Sequence, residues 1–508
     1  MKLTSSIMRF AIAAGLSLVA SAAASPAQHV FIPNRPQAPE PGAEATVLPA
    51  HHTVFSPTSS AKWERIESMG ALPGQQLRIK QPRLCDANVT QYSGYLDTDK
   101  DHHFFFWFFE ARNAPIRENA PVILWMNGGP GCSSLTSQLM ELGPCRIANG
   151  GDSLSPNKYG WNDQAHIIFL DQPINVGFSY GKDVFDSITA GEDVYNFLQL
   201  FYHAFPEYSK GELHVFGESY GGHYAPATAK AIYEKNTELA EKQSKGLLSI
   251  AETQQRILPL TSVGMGNGLT DTLIQYKHYA TMACDSTYDP IISKEQCDKF
   301  YRAYPGCAQH IQECYKWQNA TMCRQAQDYC DEMVDPFFPR NVNQYDVRDR
   351  CMSDIECYPT MGYAEKFLNT PSVQQELGSD IESFVLCSKK VRADFALSGD
   401  WMKPYVHEIP PLLEAGIRVL VYAGDADFAC NWYGNKAWTK ALEWSGKDMF
   451  SAAADKTWLV NGKPAGESRT YKNFSFVRVF EAGHMVPYNQ PENALDLINR
   501  WLSNKPLF

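Results

Sequence analysis

The sequence predicts an α/β fold: a mostly parallel sheet covered by helices on both faces. Two observations carry this. Short apolar runs of strand length alternate with helical segments, and 44% of the 508 residues are hydrophobic against 20% charged, enough to bury a large core. The strand-like runs are Thr90 to Leu96, His103 to Ala111 with six aromatics, Pro121 to Asn127, Ile167 to Asp171, Leu213 to Gly217, Thr261 to Met265, Arg418 to Ala423 and Phe476 to Phe480. An amphipathic helix is read over Ala190 to Phe205, where Val194, Phe197, Leu198 and Phe201 recur at three-and-four spacing. A second is read over Ala225 to Glu234.

Residues 1–24 read as a signal peptide: Lys2 and Arg9 precede an apolar stretch from Phe10 to about Ala23, with small residues at Ala22 and Ala24. The following stretch, 25–77, holds Pro33, Pro36, Pro39, Pro41 and Pro49 with little periodicity, so it reads as a leader or pro-segment outside the core. The folded domain is placed at 78–508, with an inserted cap over about 267–410, where the strand–helix rhythm gives way to a polar, cysteine-rich stretch. No later segment is apolar enough for a membrane anchor, and a net charge of -11 with no Lys/Arg run excludes a nucleic-acid partner. Thirteen cysteines on a secretory chain point to disulfides with one thiol left over. Asn88, Asn319 and Asn473 open N-x-[ST] sequons.

Gly217, Glu218, Ser219, Tyr220 and Gly221 form G-x-S-x-G between a strand and a helix, the setting in which a serine is held exposed on a sharp turn. A serine nucleophile needs a base, and the base needs a carboxylate to orient it. In the order Ser, Asp, His that an α/β-hydrolase uses, the acid is Asp425 or Asp427, after the strand Arg418 to Ala423, and the base is His484. Spacing alone leaves the two aspartates open. Asn127 to Gly131, directly after a strand, sits where this fold places an oxyanion loop; a plain tight turn would have the same composition.

Four stretches, WMNGGPGCSSL (Trp125 to Leu135), GESYGG (Gly217 to Gly222), GDADFACNWYG (Gly424 to Gly434) and GHMVP (Gly483 to Pro487), resemble the serine carboxypeptidase family, most of all its fungal vacuolar members, from about Arg78 onward. The resemblance implies an α/β-hydrolase fold with a disulfide-rich cap, and Ser219 as nucleophile, His484 as base and Asp427 as acid. It implies an oxyanion hole from the N–H groups of Gly129 and Tyr220. It assigns Trp125, Asn127, Gly128, Glu141 and Glu218 to the substrate's terminal carboxylate, and Thr136, Met140, Trp401, Met485 and the free thiol of Cys430 to the substrate pocket. It pairs Cys132 with Cys387, Cys284 with Cys297, Cys307 with Cys330, Cys314 with Cys323 and Cys351 with Cys357, which leaves Cys85 and Cys145 as a sixth bridge.

The expected activity is release of single amino acids from peptide and protein C-termini, with broad specificity, favoured at acidic pH, through an acyl-enzyme and with no cofactor or metal. A zinc peptidase is disfavoured, because Pro410 and Pro411 follow His407 and Glu408 where a helical metal motif would need its second histidine. An esterase or acyltransferase on the same scaffold and a catalytically silent scaffold protein are the alternatives. The expected location is the vacuole lumen or the extracellular space, with a processing protease acting on the leader.

Overall fold

The computed structural model describes residues 48–49, 62–113, 119–350 and 357–508. The signal peptide, most of the leader and Cys351 lie outside them. The central sheet takes its strands in chain order as β1 Arg65–Ser68, β2 Gln76–Lys80, β3 Gln91–Asp97, β4 His102–Phe109, β5 Val122–Met126, β6 His166–Leu170, β7 Leu213–Glu218, β8 Leu260–Gly266, β9 Arg418–Gly424, β10 Lys456–Val460, β11 Lys463–Tyr471 and β12 Phe474–Val479. In space they run β10-β11-β12-β9-β8-β7-β5-β6-β4-β3-β2-β1, and with the short pair Tyr180–Gly181 on β4 they make a 13-stranded sheet. The middle, β6-β5-β7-β8-β9-β12, is parallel; both flanks are antiparallel.

Strand period sorts the core. In β4, Phe104, Phe106 and Phe108 join one apolar cluster while Phe105, Trp107 and Phe109 join another; Leu124 and Trp125 of β5 divide the same way. Because both sheet faces are covered, β5 and β7 have no exposed residue. Helices α2 Ser187–Ala204 and α3 Gly221–Ser244 cover one face, and the first, α1 Leu135–Met140, is wholly buried beside the site.

Between β8 and β9 the chain leaves the sheet. Helices α4 Thr272–Cys284, α5 Lys294–Trp317 and α6 Ala320–Val334 form a separate apolar cluster around Cys284–Cys297, Cys307–Cys330 and Cys314–Cys323. Asp271, Ser293 and Asn319 cap these helices, each side chain accepting from a backbone N–H of the first turn. Cys132–Cys387 and Cys85–Cys145 are also bonded; Cys357 is disulfide-bonded too.

Two features were not read from the sequence. Residues 65–77, within the expected leader, lie in the sheet: β1 and β2 complete its edge, and Met69, Leu72 and Leu77 are buried in the core. The stretch read as unstructured because of its proline-rich first half and its little periodicity; Gly70, Pro73 and Gly74 sit in the β1–β2 turn. The hairpin β10–β11 also went unread, although Asn461 and Gly462, at φ +50° and +76°, form the Asn-Gly turn that signals one. Among the described residues no helix is long and apolar enough to cross a membrane.

The three sequons differ. Asn88 and Asn319 are exposed, and Asn319 caps α6 through its oxygen, which leaves its nitrogen to solvent. Asn473 is half-buried, and its nitrogen donates to the carbonyls of Leu413 and Ile417, both at 2.9 Å. A glycan there would cost one of these bonds. Intact mass before and after enzymatic deglycosylation should therefore show glycans at Asn88 and Asn319 and none at Asn473; a modified Asn473 would refute this.

Candidate active site

The parallel strands stop at one level, and the loops that follow them hold the site. β5 pairs with β7 in a register that sets Met126 against Gly217; β7 pairs with β8, Glu218 against Gly266; and β9 pairs with β12, Gly424 against Val479. Ser219 follows β7 directly at φ +62°, the left-handed region a non-glycine residue enters only under constraint. Its N–H donates to the Gly266 carbonyl (3.1 Å), and its carbonyl accepts from Gly222 and Leu269 (both 2.9 Å). These bonds hold the strained turn and leave Ser219 partly exposed while its neighbours are buried.

The loop after β5 presses against that turn. A Cβ on Gly128 would stand 2.3 Å from the Tyr220 nitrogen and 2.8 Å from the Ser219 Cβ, so only glycine permits the approach, and Gly129 adopts φ +109°. The loop is anchored by Cys132–Cys387 and by Asp171, which accepts from the Ser133 hydroxyl (2.5 Å) and the Ser134 N–H (3.0 Å). Burial pushes the Asp171 carboxyl up to about 7 despite those bonds.

The structure separates the two aspartates. Asp427 Oδ2 accepts from His484 Nδ1 (2.8 Å), Asn267 Nδ2 (2.8 Å) and the Cys430 N–H (3.1 Å) in a fully buried position. Asp425 faces elsewhere, accepting from the Tyr288 hydroxyl (2.7 Å), Arg478 (3.0 Å) and the Glu481 N–H (2.9 Å). Cys430 is buried and unpaired; burial first and then the Asp427 charge push its thiol well above its ordinary range, so it stays protonated. Asp427, Cys430 and His484 are also the one metal-competent cluster among the described residues.

Glu141 and Glu218 meet beneath the loop. Glu141 ends α1, almost fully buried, with Oε1 accepting from Ser137 (2.7 Å); Glu218 is the last residue of β7. Burial raises both carboxyls, Glu218 further, because the adjoining Glu141 charge adds to it. As carboxylates, Glu141 Oε2 and Glu218 Oε2 would each lack a partner; one shared proton relieves both. Beside them the Trp125 indole donates to Asn127 Oδ1 (2.8 Å), and since that indole can only donate, the Asn127 amide N–H₂ is the end turned outward. Trp125 itself is fully buried and acts through Asn127. Met140 and Met485 form a small cluster with Tyr358; Thr136 is buried nearby on α1. Trp401 lies on the other side, its ring 5.3 Å from that of Tyr220.

Three positioning residues were not read from the sequence. Asn267 ties Asp427 to β9 by also accepting from the Gly424 N–H (3.1 Å); its position directly after a parallel strand was the available signal. Tyr345, inside the cap, accepts from the His484 N–H (2.7 Å) and packs its ring 4.9 Å from the imidazole. Asp400 accepts from the Tyr220 hydroxyl (2.7 Å). Nothing local in the sequence marks the last two.

Residues 80–504 match the model of the serine carboxypeptidase family. The chain belongs to that family. Carboxypeptidase Y of Candida albicans is 46% identical over 440 residues, covering 85% of this chain and 77% of its own, and that of Komagataella phaffii is 44% identical over 450 residues, covering 87% and 82%. The Schizosaccharomyces pombe carboxypeptidase Y is 46% identical over 460 residues, covering 89% of this chain and 45% of its own. The crystal structure of Kex1(Δ)p, a prohormone-processing carboxypeptidase from Saccharomyces cerevisiae, superposes with a TM-score of 0.69 at 25% identity, covering 84% of this chain and 94% of that one. The fold is thus that of the α/β hydrolases, and the enzyme is a serine carboxypeptidase.

The bonding of the two aspartates predicts opposite mutant phenotypes. Asp427→Asn should lower kcat by about 10⁴-fold, through loss of the correct imidazole tautomer. Asp425→Asn should leave kcat within a few-fold but lower stability by about 1–3 kcal/mol, through loss of its buried partners. Steady-state kinetics and thermal melts separate the two; equal losses of kcat would refute the assignment.

Proposed function

We propose that the enzyme hydrolyses the last peptide bond of peptides and proteins, releasing one amino acid at a time, with broad tolerance for the released residue and best at acidic pH. The observation that carries this is the buried Glu141–Glu218 pair set next to Ser219 and the Asn127 amide. Sharing a proton, the pair presents a neutral carboxylic acid that donates to the substrate's α-carboxylate beside the Asn127 amide; unprotonated, it repels the same group.

In the reaction, Ser219 Oγ attacks the scissile carbonyl while His484 takes its proton, and Asp427 stabilises the imidazolium through Nδ1. The tetrahedral oxyanion is met by the N–H groups of Gly129 and Tyr220. His484 then protonates the leaving amino group, the C–N bond breaks, and the peptide remains as an ester on Ser219. Water, deprotonated by His484, cleaves that ester and restores Ser219. Met140 and Met485 suit broad tolerance, because thioether chains repack around different side chains.

The disulfides support a secretory route, with residence in the vacuole lumen or outside the cell and a processing protease removing the leader. An esterase or acyltransferase would use the same serine, but it would gain nothing from a buried acid pair.

The pair's raised carboxyls keep their proton at pH values where ordinary carboxyls have lost it, and lose it as pH rises further. KM for an N-blocked dipeptide should therefore climb with pH, approaching about tenfold per unit once the pair ionises, and Glu218→Gln should flatten that climb. The C-terminal amide should be a poor substrate throughout, and Ser219→Ala inactive. A KM flat from pH 5 to 8 would overturn the role of the pair, and ester cleavage without peptide cleavage would favour the esterase.

A further inference from the structure

Two apolar clusters flank Ser219. One contains Met140 and Met485 and adjoins Glu141, so it receives the released residue. The other contains Tyr276, Tyr279 and Trp401, with the Trp401 ring 5.3 Å from that of Tyr220, the residue after Ser219; with Glu141 and Glu218 taking the terminal carboxylate, this wall is left for the side chain on the acyl side of the bond. Tyr279 fixes this second wall by donating to the Ala429 carbonyl (2.8 Å).

That acyl-side wall carries charge. The Trp401 indole donates to the Tyr276 hydroxyl (3.1 Å), which donates to Asp331 Oδ1 (3.2 Å). Asp331 lies on α6 and is partly exposed; Asp335, which caps that helix, is exposed. From the helix Lys389–Leu397 the Arg392 guanidinium lies over the Trp401 ring at 5.8 Å and is felt by both acids. Two carboxyls therefore face one guanidinium.

We propose that Asp331 and Asp335 make the acyl-side pocket selective for a basic side chain, Lys or Arg, on the residue preceding the scissile bond. The stem of such a side chain packs along Tyr276, Tyr279 and Trp401 while its cation meets the surplus carboxylate. The selectivity depends on pH. Burial, and then the Asp335 charge, push the Asp331 carboxyl up to about 7. The groups facing it are Tyr276 of α4, Gln327 and Asp335 of its own helix, and Arg392, with Cys430 and Asp427 beyond Tyr279 and Tyr345 beyond Arg392. At acidic pH Asp331 is neutral and the pocket is closer to an apolar slot beside Arg392. Above about 7 the surplus negative charge appears.

The inference rests on the C-terminal peptidase reading, and the experiment separates the two. The matured enzyme is given N-blocked Lys-Leu, Phe-Leu and Glu-Leu at pH 5 and pH 8, alongside the variants Asp331→Asn and Asp335→Asn. The kcat/KM ratio of Lys to Phe should rise about tenfold between the two pH values, and Glu should be the poorest of the three. Asp331→Asn should abolish the pH-dependence of that ratio, and each variant should lower the Lys-to-Phe ratio at pH 8 about tenfold. Good Phe turnover with a Lys-to-Phe ratio that neither pH nor the variants move would overturn the inference and leave the peptidase intact. Failure to cleave any of the three peptides would overturn both.

Discussion

The site depends on strand register. β5, β7, β8, β9 and β12 are parallel, and their pairing brings the ends of all five to one edge of the sheet, where Asn127, Ser219, Asn267, Asp427 and His484 follow in the adjoining turns. In a parallel sheet every strand end on that edge points the same way, so residues hundreds of positions apart meet without any loop having to travel. A slip of one residue between β7 and β5 would flip Trp125 and Phe216 out of their shared face and carry Gly128 away from Tyr220. Burial of both sheet faces is what forbids it.

Given that register, the chemistry is divided by how each buried acid is satisfied. Asp427 Oδ2 collects donors from His484, Asn267 and the Cys430 N–H at the point where an imidazolium must be stabilised. Glu141 and Glu218 have too few donors for two charges and must hold a proton between them. Equivalent side chains within one pocket thus take different roles. The proton-sharing pair donates to an anion, and the aspartate accepts from a cation.

What was legible in the sequence follows the same division. The parallel strands were readable because burial on both faces makes them near-continuous apolar runs, and the elbow and the oxyanion loop were readable because tight backbone approaches demand glycine at Gly128 and Gly217. Asp425 and Asp427 could not be told apart by spacing, since both end the same strand; only the direction each side chain takes, toward Arg478 or toward His484, decides between them. The first edge strands were missed because an antiparallel edge is short, half-exposed and punctuated by Gly and Pro, so its pattern resembles a linker. Tyr345, Asp400 and Asp331 were missed for a different reason: each acts across the cap or from it, through contacts with no sequence period.

The cap explains why the fold can vary specificity without disturbing the reaction. Its helices make their own core around three disulfides, so they need little from the sheet for stability. The triad's geometry is set by strand ends and by bonds such as Asn267 to Gly424, whereas the acyl-side wall is set by α4, α6 and the helix carrying Arg392. A charge placed on α6 therefore alters what the pocket prefers while Asp427 and His484 keep their distance. Among the described cap residues, Tyr345 is bonded directly to the base, and it does so through its backbone carbonyl, a bond that survives any change of side chain. Substrate choice and bond cleavage are in this way carried by separately stabilised parts of the chain that adjoin around Ser219.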